Sequence, residues 1–196
     1  METKTLAAMQ AEVVAYNHEK GWRENDVTFG EAMALLHSEV AEASDAWRRW
    51  GTKDATSLAV LVPAGEIAPA PPKPEGVGSE FADIFIRLLD DCDLYGVDLE
   101  AEAAQHHGRY GISDSFLTNM NTLHTMIARA SMAYESDDWA DEEGTRGGWT
   151  WRQGFASILV FLRQLCEHYG IDLMAEYERK HAYNLTRPYK HGGKRQ

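Results

Sequence analysis

Apolar residues recur with helical spacing along most of the chain. The pattern predicts a first helix over residues 3–19 and a second helix that begins after Thr28 and runs to about Trp50. Thr28 and Glu31 have the spacing of a capping box, in which each side chain accepts a hydrogen bond from the other residue's backbone N–H. This spacing predicts the start of the second helix.

The helical pattern is interrupted over residues 51–79. Five of the six prolines fall between Pro63 and Pro74, which is typical of a loop. This loop can contain one short extended piece, at residues 58–62.

A third and a fourth helix are predicted after this loop. Ser79 is expected to cap the third helix and Gly96 to end it. Asp98 then begins the fourth, which is predicted to run to about Tyr110. The apolar face of the third helix consists of Phe81, Ile84, Phe85, Leu88, Leu89 and Cys92.

Two stretches of the chain recur in the same order. Residues 81–111, aligned without gaps on residues 155–185, share twelve identities in thirty-one positions. Residues 36–47, aligned on residues 123–134, share six in twelve. This agreement predicts an internal duplication of a helical hairpin unit.

The duplication predicts an all-α fold. One unit has an apolar face that it cannot bury alone, so we expect two units to pack about a pseudo-twofold axis. The expected result is a four-helix-bundle core with peripheral helices. The first unit spans residues 1–111 and the second spans residues 112–196, and together they are expected to form one compact domain.

Four acidic residues distinguish the first unit from the second. Glu39 and Glu42, and likewise Glu80 and Asp83, are spaced so that both carboxylates of each pair project from one helical face. The matching positions of the second unit are Met126, Arg129, Gly154 and Ser157. Four facing carboxylates beside apolar residues repel one another and are costly to desolvate, and a divalent cation removes that cost. The all-oxygen ligand set favours Mg²⁺, with Mn²⁺ as a substitute.

The charge of the chain bears on its partners and location. A net charge of −12 argues against binding to a nucleic acid polymer, although the chain after Arg179 is basic. No apolar run is long enough to span a membrane, and the N-terminus lacks a signal-peptide pattern. We therefore expect a cytoplasmic protein without a membrane partner. Cys92 and Cys166 are expected to be reduced and buried.

The acids and the basic tail together resemble the MazG-like, all-α nucleoside triphosphate pyrophosphohydrolase family. The family signature is Glu-x-x-Glu, a spacer, and then Glu-x-x-Asp, which here is read as Glu39-Val-Ala-Glu42 and Glu80-Phe-Ala-Asp83. Residues 180–194 are similar to the family's basic tail. In simple members the acids and the tail belong to a single unit, whereas here the acids lie in the first unit and the tail in the second. We therefore expect one active site per chain.

The resemblance implies Mg²⁺-dependent hydrolysis of nucleoside triphosphates, with deoxynucleotides favoured, to the monophosphate and pyrophosphate. It assigns metal binding and catalysis to the same four residues, which are Glu39, Glu42, Glu80 and Asp83. The candidates for phosphate binding are Lys180, Asn184, Arg187, Tyr189, Lys190 and Arg87. For Arg87, neutralisation of a nearby acid is an equal alternative. The candidates for base binding are Trp22, His18 and Trp50.

Two other functions also involve acidic residues on helices. A ferritin-like di-iron bundle needs two Glu-x-x-His motifs. This chain has one, from Glu178 to His181, in the unit without the acids, which argues against that class. A catalytically inactive MazG-like nucleotide-binding or regulatory module stays open. The preferred base and sugar, and association into a homodimer, also stay open.

Overall fold

The fold is described by a computed structural model that covers residues 4–52, 73–106, 108–137 and 150–193. Within these ranges every regular element is a helix, so the all-α prediction is confirmed. The helices are α1 Leu6–Glu19, α2 Phe29–Trp50, α3 Val77–Leu94, α4 Leu99–Gln105, α5 Phe116–Asp137, α6 Trp151–Tyr169, α7 Leu173–Leu185 and the single turn α8 Lys190–Gly193. The extended piece considered at residues 58–62 lies outside the described residues.

Local side-chain caps set the starts of the first two helices. The Thr5 hydroxyl accepts a hydrogen bond from the Ala8 N–H at the start of α1. At α2 the capping box is confirmed, because Glu31 Oε2 accepts from the Thr28 N–H at 2.9 Å and Thr28 Oγ1 accepts from the Glu31 N–H at 3.3 Å. Replacing such a cap by alanine typically costs about 1 kcal/mol.

The predicted cap of α3 is wrong. The helix begins at Val77, after Gly76, whose φ of 94° suits glycine and not a residue with a Cβ. Ser79 therefore lies inside the helix. Its hydroxyl donates to the Pro74 carbonyl at 3.1 Å, and so binds the preceding loop without capping the helix.

The fourth helix is shorter than predicted. Asp98 caps its start as expected, but the helix ends at Gln105 and not near Tyr110. The Tyr110 N–H donates to Gln164 on α6, and the Tyr110 ring packs edge-on against Phe161. Contacts with a distant helix thus replace the helical hydrogen bonds that the pattern predicted.

Helix α3 lies at the centre of the molecule. It packs against α1, α2, α6 and α7, while α2 also packs against α5, and α6 packs against α4 and α5. The largest fully buried side chains include Phe81, Phe85, Phe155, Phe161 and Tyr177. Each such side chain contributes roughly 1.5–3 kcal/mol relative to an exposed one. Because α3 is enclosed by four helices, Glu80 and Asp91 on it are withdrawn from water.

Two further expectations concern the cysteines and the membrane. Cys92 and Cys166 are both buried free thiols. Burial raises the pKa of Cys166 to about 12, which keeps the thiol protonated and unreactive.

Among the described helices, none is long and apolar enough to cross a membrane.

Candidate functional site

Three of the four predicted carboxylates meet where α2 packs on α3. One carboxylate oxygen from each of Glu39, Glu80 and Asp83 lies within 4.8 Å of the others. The i, i+3 spacing on α3 places Glu80 and Asp83 on the face that meets α2. The fourth acid, Glu42, borders the same cavity but is exposed and is not one of the three clustered groups.

These acids form one wall of a cavity of about 320 Å³. The lining residues that the sequence singled out are Glu39, Glu42, Glu80, Asp83, Arg87, Lys180, Asn184, Arg187 and Trp22. The cavity is thus formed by acids of α2 and α3 and by polar side chains of α7 and the segment after it. A larger open hollow of about 640 Å³ lies between α1, α4, α6 and α7, and contains none of the predicted site residues.

Two cationic side chains bind the clustered acids directly. Lys180 Nζ lies 2.5 Å from Asp83 Oδ2 and donates to Ser79 Oγ at 2.8 Å. Arg87 Nε donates to Glu39 Oε1 at 2.5 Å. Arg87 therefore neutralises an acid in this structure, which is one of the two roles considered for it.

Glu80 is a buried acid of the cluster, and its pKa is strongly raised. Burial raises the pKa of Glu80 to about 8; Lys180 opposes the increase, while Asp83 and the two α2 glutamates add to it. Its Oε2 atom is buried and has no hydrogen-bond partner in the described part of the chain. A buried carboxylate oxygen without a partner, beside two more carboxylates, fits an oxygen-seeking divalent cation.

Aromatic side chains of α1, the following loop and the tail form another part of the wall. The Tyr16 hydroxyl is hydrogen-bonded to His191 Nε2 at 2.8 Å, and the Trp22 ring packs edge-on against His191 with centroids 4.9 Å apart. Burial raises the pKa of Tyr16 to about 12, so the hydroxyl keeps its proton at neutral pH. Sequence reasoning missed Tyr16, Asn17 and His191, all of which line the cavity.

Two predicted phosphate ligands anchor the tail and do not line the cavity. The Tyr189 hydroxyl donates to the Glu24 carboxylate, and Lys190 Nζ lies 2.8 Å from Glu24 Oε2. The Lys190 N–H also donates to the Lys20 carbonyl at 3.0 Å. These contacts hold the tail against the loop after α1, so that His191 reaches the cavity.

Two predicted base-binding residues lie away from the cavity lining. His18 is exposed on α1, and Trp50 ends α2, where the Arg49 guanidinium lies 5.8 Å from its ring centroid. Their positions lend no support to a role in base binding, and Trp22 is the one base-binding candidate that borders the cavity.

Comparison of the chain with known proteins gives no matching family model, no matching curated protein and no matching solved structure.

Proposed function

We propose that this chain hydrolyses nucleoside triphosphates to the monophosphate and pyrophosphate with Mg²⁺, for which Mn²⁺ can substitute. The observation that carries the proposal is the meeting of Glu39, Glu80 and Asp83 in a cavity that Lys180 and Arg187 also line. Clustered carboxylates provide oxygen ligands for a cation, and neighbouring cationic side chains provide contacts for phosphate oxygens. The resemblance to the MazG-like family supplies the reaction that such a site would perform.

We further propose that the fold is a duplicated four-helix bundle. In the alignment of the two repeats, α2 corresponds to α5, α3 corresponds to α6 and α4 corresponds to α7. The packing of α2 on α3 then corresponds to that of α5 on α6, and the packing of α3 on α7 corresponds to that of α6 on α4. This correspondence supports the duplication. The division of roles between the units is supported by the cavity, which is lined by acids of the first unit and by Lys180, Asn184 and Arg187 of the second.

The proposed metal ligands are Glu39, Glu80 and Asp83, with Glu42 at the edge of the same cavity. When bound, Mg²⁺ would neutralise the triphosphate and supply an acidified water. The three ligands must be ionised to bind it, and the high pKa of Glu80 makes this residue the limiting one.

Other side chains of the cavity would orient the nucleotide. Lys180 is a compact charge held at the acids, whereas the Arg187 guanidinium can bind two phosphate oxygens at once. The Trp22 ring offers an apolar face to the base. Arg87 would remain the counter-ion of Glu39 and so keep that ligand in place.

The experiment is a screen of canonical and modified ribo- and deoxynucleoside triphosphates with Mg²⁺, with pyrophosphate release as the readout. Glu80→Gln is expected to lower the rate by about a hundredfold or more, because it removes a ligand oxygen. The matched control is Glu135→Gln, which changes an exposed glutamate of α5 and should leave the rate unchanged. Absence of pyrophosphate release with every triphosphate, or equal rates in both variants, would contradict the proposal.

One observation favours the second candidate, a nucleotide-binding module without catalysis. Lys180 and Arg87 already neutralise Asp83 and Glu39, so the acids have counter-ions without a metal. Such a module would be stabilised against thermal unfolding by nucleotides without releasing pyrophosphate. The same screen, with the melting temperature measured alongside, therefore separates the two candidates.

A further inference from the structure

Two histidine side chains face each other where α2 packs on α5. Nδ1 of His37 and Nδ1 of His124 lie 2.8 Å apart, and the two ring planes are 27° from parallel. The two residues occupy matching positions of the two repeats. In a pseudo-twofold arrangement, matching residues meet only near the axis. The contact therefore lies where the two units join, and neither histidine lines the cavity with the acids.

The two rings have no other partners in the part of the chain that the structure describes. Apart from their contact with each other, neither makes a hydrogen bond, an ion pair or a ring contact. The hydrogen bond needs a proton on one of the facing Nδ1 atoms, and the other Nδ1 accepts it. No further side chain of the described ranges thus competes with a ligand for these nitrogens.

The pair is also accessible from solvent. Both histidines are partly exposed where they lie between the two helices. The exposed residues one turn before and after each of them are small and carry no charge. They are Ala34, Ala41, Asn121 and Ala128. A hydrated cation can therefore approach the two rings without meeting a bulky or cationic side chain at these positions.

The distance between the nitrogens fits a shared metal ion. Imidazole nitrogens bind divalent metals at about 2.0–2.1 Å, so two nitrogens at a right angle around one ion are about 2.9 Å apart. At a tetrahedral angle the same bonds would separate them by about 3.3 Å. The observed 2.8 Å is close to the right-angle value, which is the geometry of square-planar and octahedral complexes. Nitrogen ligands in a square-planar or tetragonal arrangement are typical of Cu²⁺ and Ni²⁺.

We propose that His37 and His124 bind one late first-row divalent cation through their Nδ1 atoms, with Cu²⁺ and Ni²⁺ preferred over Zn²⁺. Water fills the remaining coordination positions. The proton between the two Nδ1 atoms moves to Nε2 of the same ring, so both rings stay neutral and each keeps one N–H.

This site goes beyond the proposed hydrolysis and differs from the acidic cluster in its ligands. Carboxylate oxygens suit Mg²⁺, whereas imidazole nitrogens suit the later transition metals. The ion would join α2 of the first unit to α5 of the second, because each helix supplies one ligand. Its role is therefore a cross-link between the two units, and it does not depend on the reaction at the acids.

The test is titration of the full chain, without a histidine tag, with Cu²⁺, Ni²⁺ and Zn²⁺ in the presence of excess Mg²⁺. His37→Gln and His124→Gln should each weaken Ni²⁺ binding at least tenfold, since even outer-shell partners of a metal ligand are typically worth roughly 10- to 100-fold in affinity. Glu80→Gln should leave this binding unchanged. The electron paramagnetic resonance spectrum of the Cu²⁺-loaded chain should show coupling to two imidazole nitrogens, and to fewer in His37→Gln.

The matched control is His168→Gln, which removes an exposed histidine of α6 and should leave the affinity for Ni²⁺ unchanged. A second measurement is thermal unfolding. Ni²⁺ should raise the melting temperature of the unchanged chain and of His168→Gln, but not that of His37→Gln or His124→Gln, because only an ion bound to the folded pair stabilises it.

Three results would overturn the inference. One is an equal Ni²⁺ affinity in the unchanged chain and in both variants of the pair. Another is a Cu²⁺ spectrum of the unchanged chain without two coupled imidazole nitrogens. The third is an increase in melting temperature with Ni²⁺ that is as large in His37→Gln as in His168→Gln.

Discussion

Asp91 on α3 shows how strongly the enclosed centre of the fold affects a single acidic residue. Its Oδ2 atom is buried and has no hydrogen-bond partner among the described residues. Burial raises the pKa of Asp91 from 3.8 to about 7; Asp90 adds to the increase, and Arg87 and Arg23 oppose it. The folded state therefore favours the protonated carboxyl. The resulting stabilisation is complete below pH 3.8 and is lost as the pH rises to about 7.

Asp91→Asn should remove this pH dependence, because the amide cannot ionise. We expect the variant to be more stable than the unchanged chain at pH 8 by about 2 kcal/mol, and to lose that advantage at pH 4. Urea unfolding at several pH values measures the difference. The control is Asp45→Asn, which changes an exposed aspartate of α2. Parallel stability profiles for the unchanged chain and Asp91→Asn would contradict the assignment.

At the element scale, the short turn after α7 depends on a glycine in another part of the chain. Lys190 and His191 have φ values of 45° and 49°, which are unfavourable for residues with a Cβ. Their conformation is maintained by the contacts of the tail with the loop after α1. Gly21 in that loop has a φ of 78°, and a Cβ there would overlap the Tyr189 ring. The tail packs closely because this position has no side chain.

Gly21→Ala should therefore displace the tail. We expect a loss of about 1–2 kcal/mol in the free energy of unfolding, from the strained φ and the overlap with Tyr189. Cleavage by trypsin after Lys190 should also become faster. Gly30→Ala on α2 is the matched control, because nothing lies within 4 Å of the added Cβ. That variant should be neutral or slightly stabilising, since alanine favours a helix. Equal cleavage rates would show that Gly21 does not support the tail.

At the scale of the whole molecule, two histidines meet where α2 packs on α5. The Nδ1 atoms of His37 and His124 are 2.8 Å apart and hydrogen-bonded, and the two residues occupy the same position of the repeat. Burial lowers the pKa of both histidines below 6.5, and His124 adds to the effect on His37. Because the folded state disfavours the protonated rings, the stabilisation is complete above pH 6.5. It is lost as the pH falls below that value.

His124→Gln should reduce this loss of stability in acid, because one of the two interacting charges can no longer form. The effect should be less than about 1 kcal/mol, since both rings remain partly exposed to solvent. Thermal unfolding at pH 5 and pH 7.5 measures it. His168→Gln, at an exposed position of α6, should leave the acid sensitivity unchanged. An unchanged difference between the two pH values in His124→Gln would exclude the contact as a source of acid sensitivity.

Local patterns predicted the elements and the residue types of the site. The capping box at Thr28 and the cap at Asp98 involve residues three positions apart, and the spacing of Glu80 and Asp83 depends on the geometry of a single helix. Hydrogen bonds over such short separations follow from the sequence alone. For the same reason, the position of α2 and the presence of paired carboxylates did not require the tertiary structure.

Contacts between distant residues could not be predicted in this way. The early end of α4 depends on Gln164, and the contact of Lys180 with Asp83 joins α7 to α3. Asn17 is an ordinary helical residue in the sequence, and it borders the site because α1 packs on α3. Helical hydrogen bonds and the face on which a carboxylate lies follow from neighbours within one turn. The partners of each buried charge or amide depend instead on which helices pack together, because that packing determines which groups are removed from water.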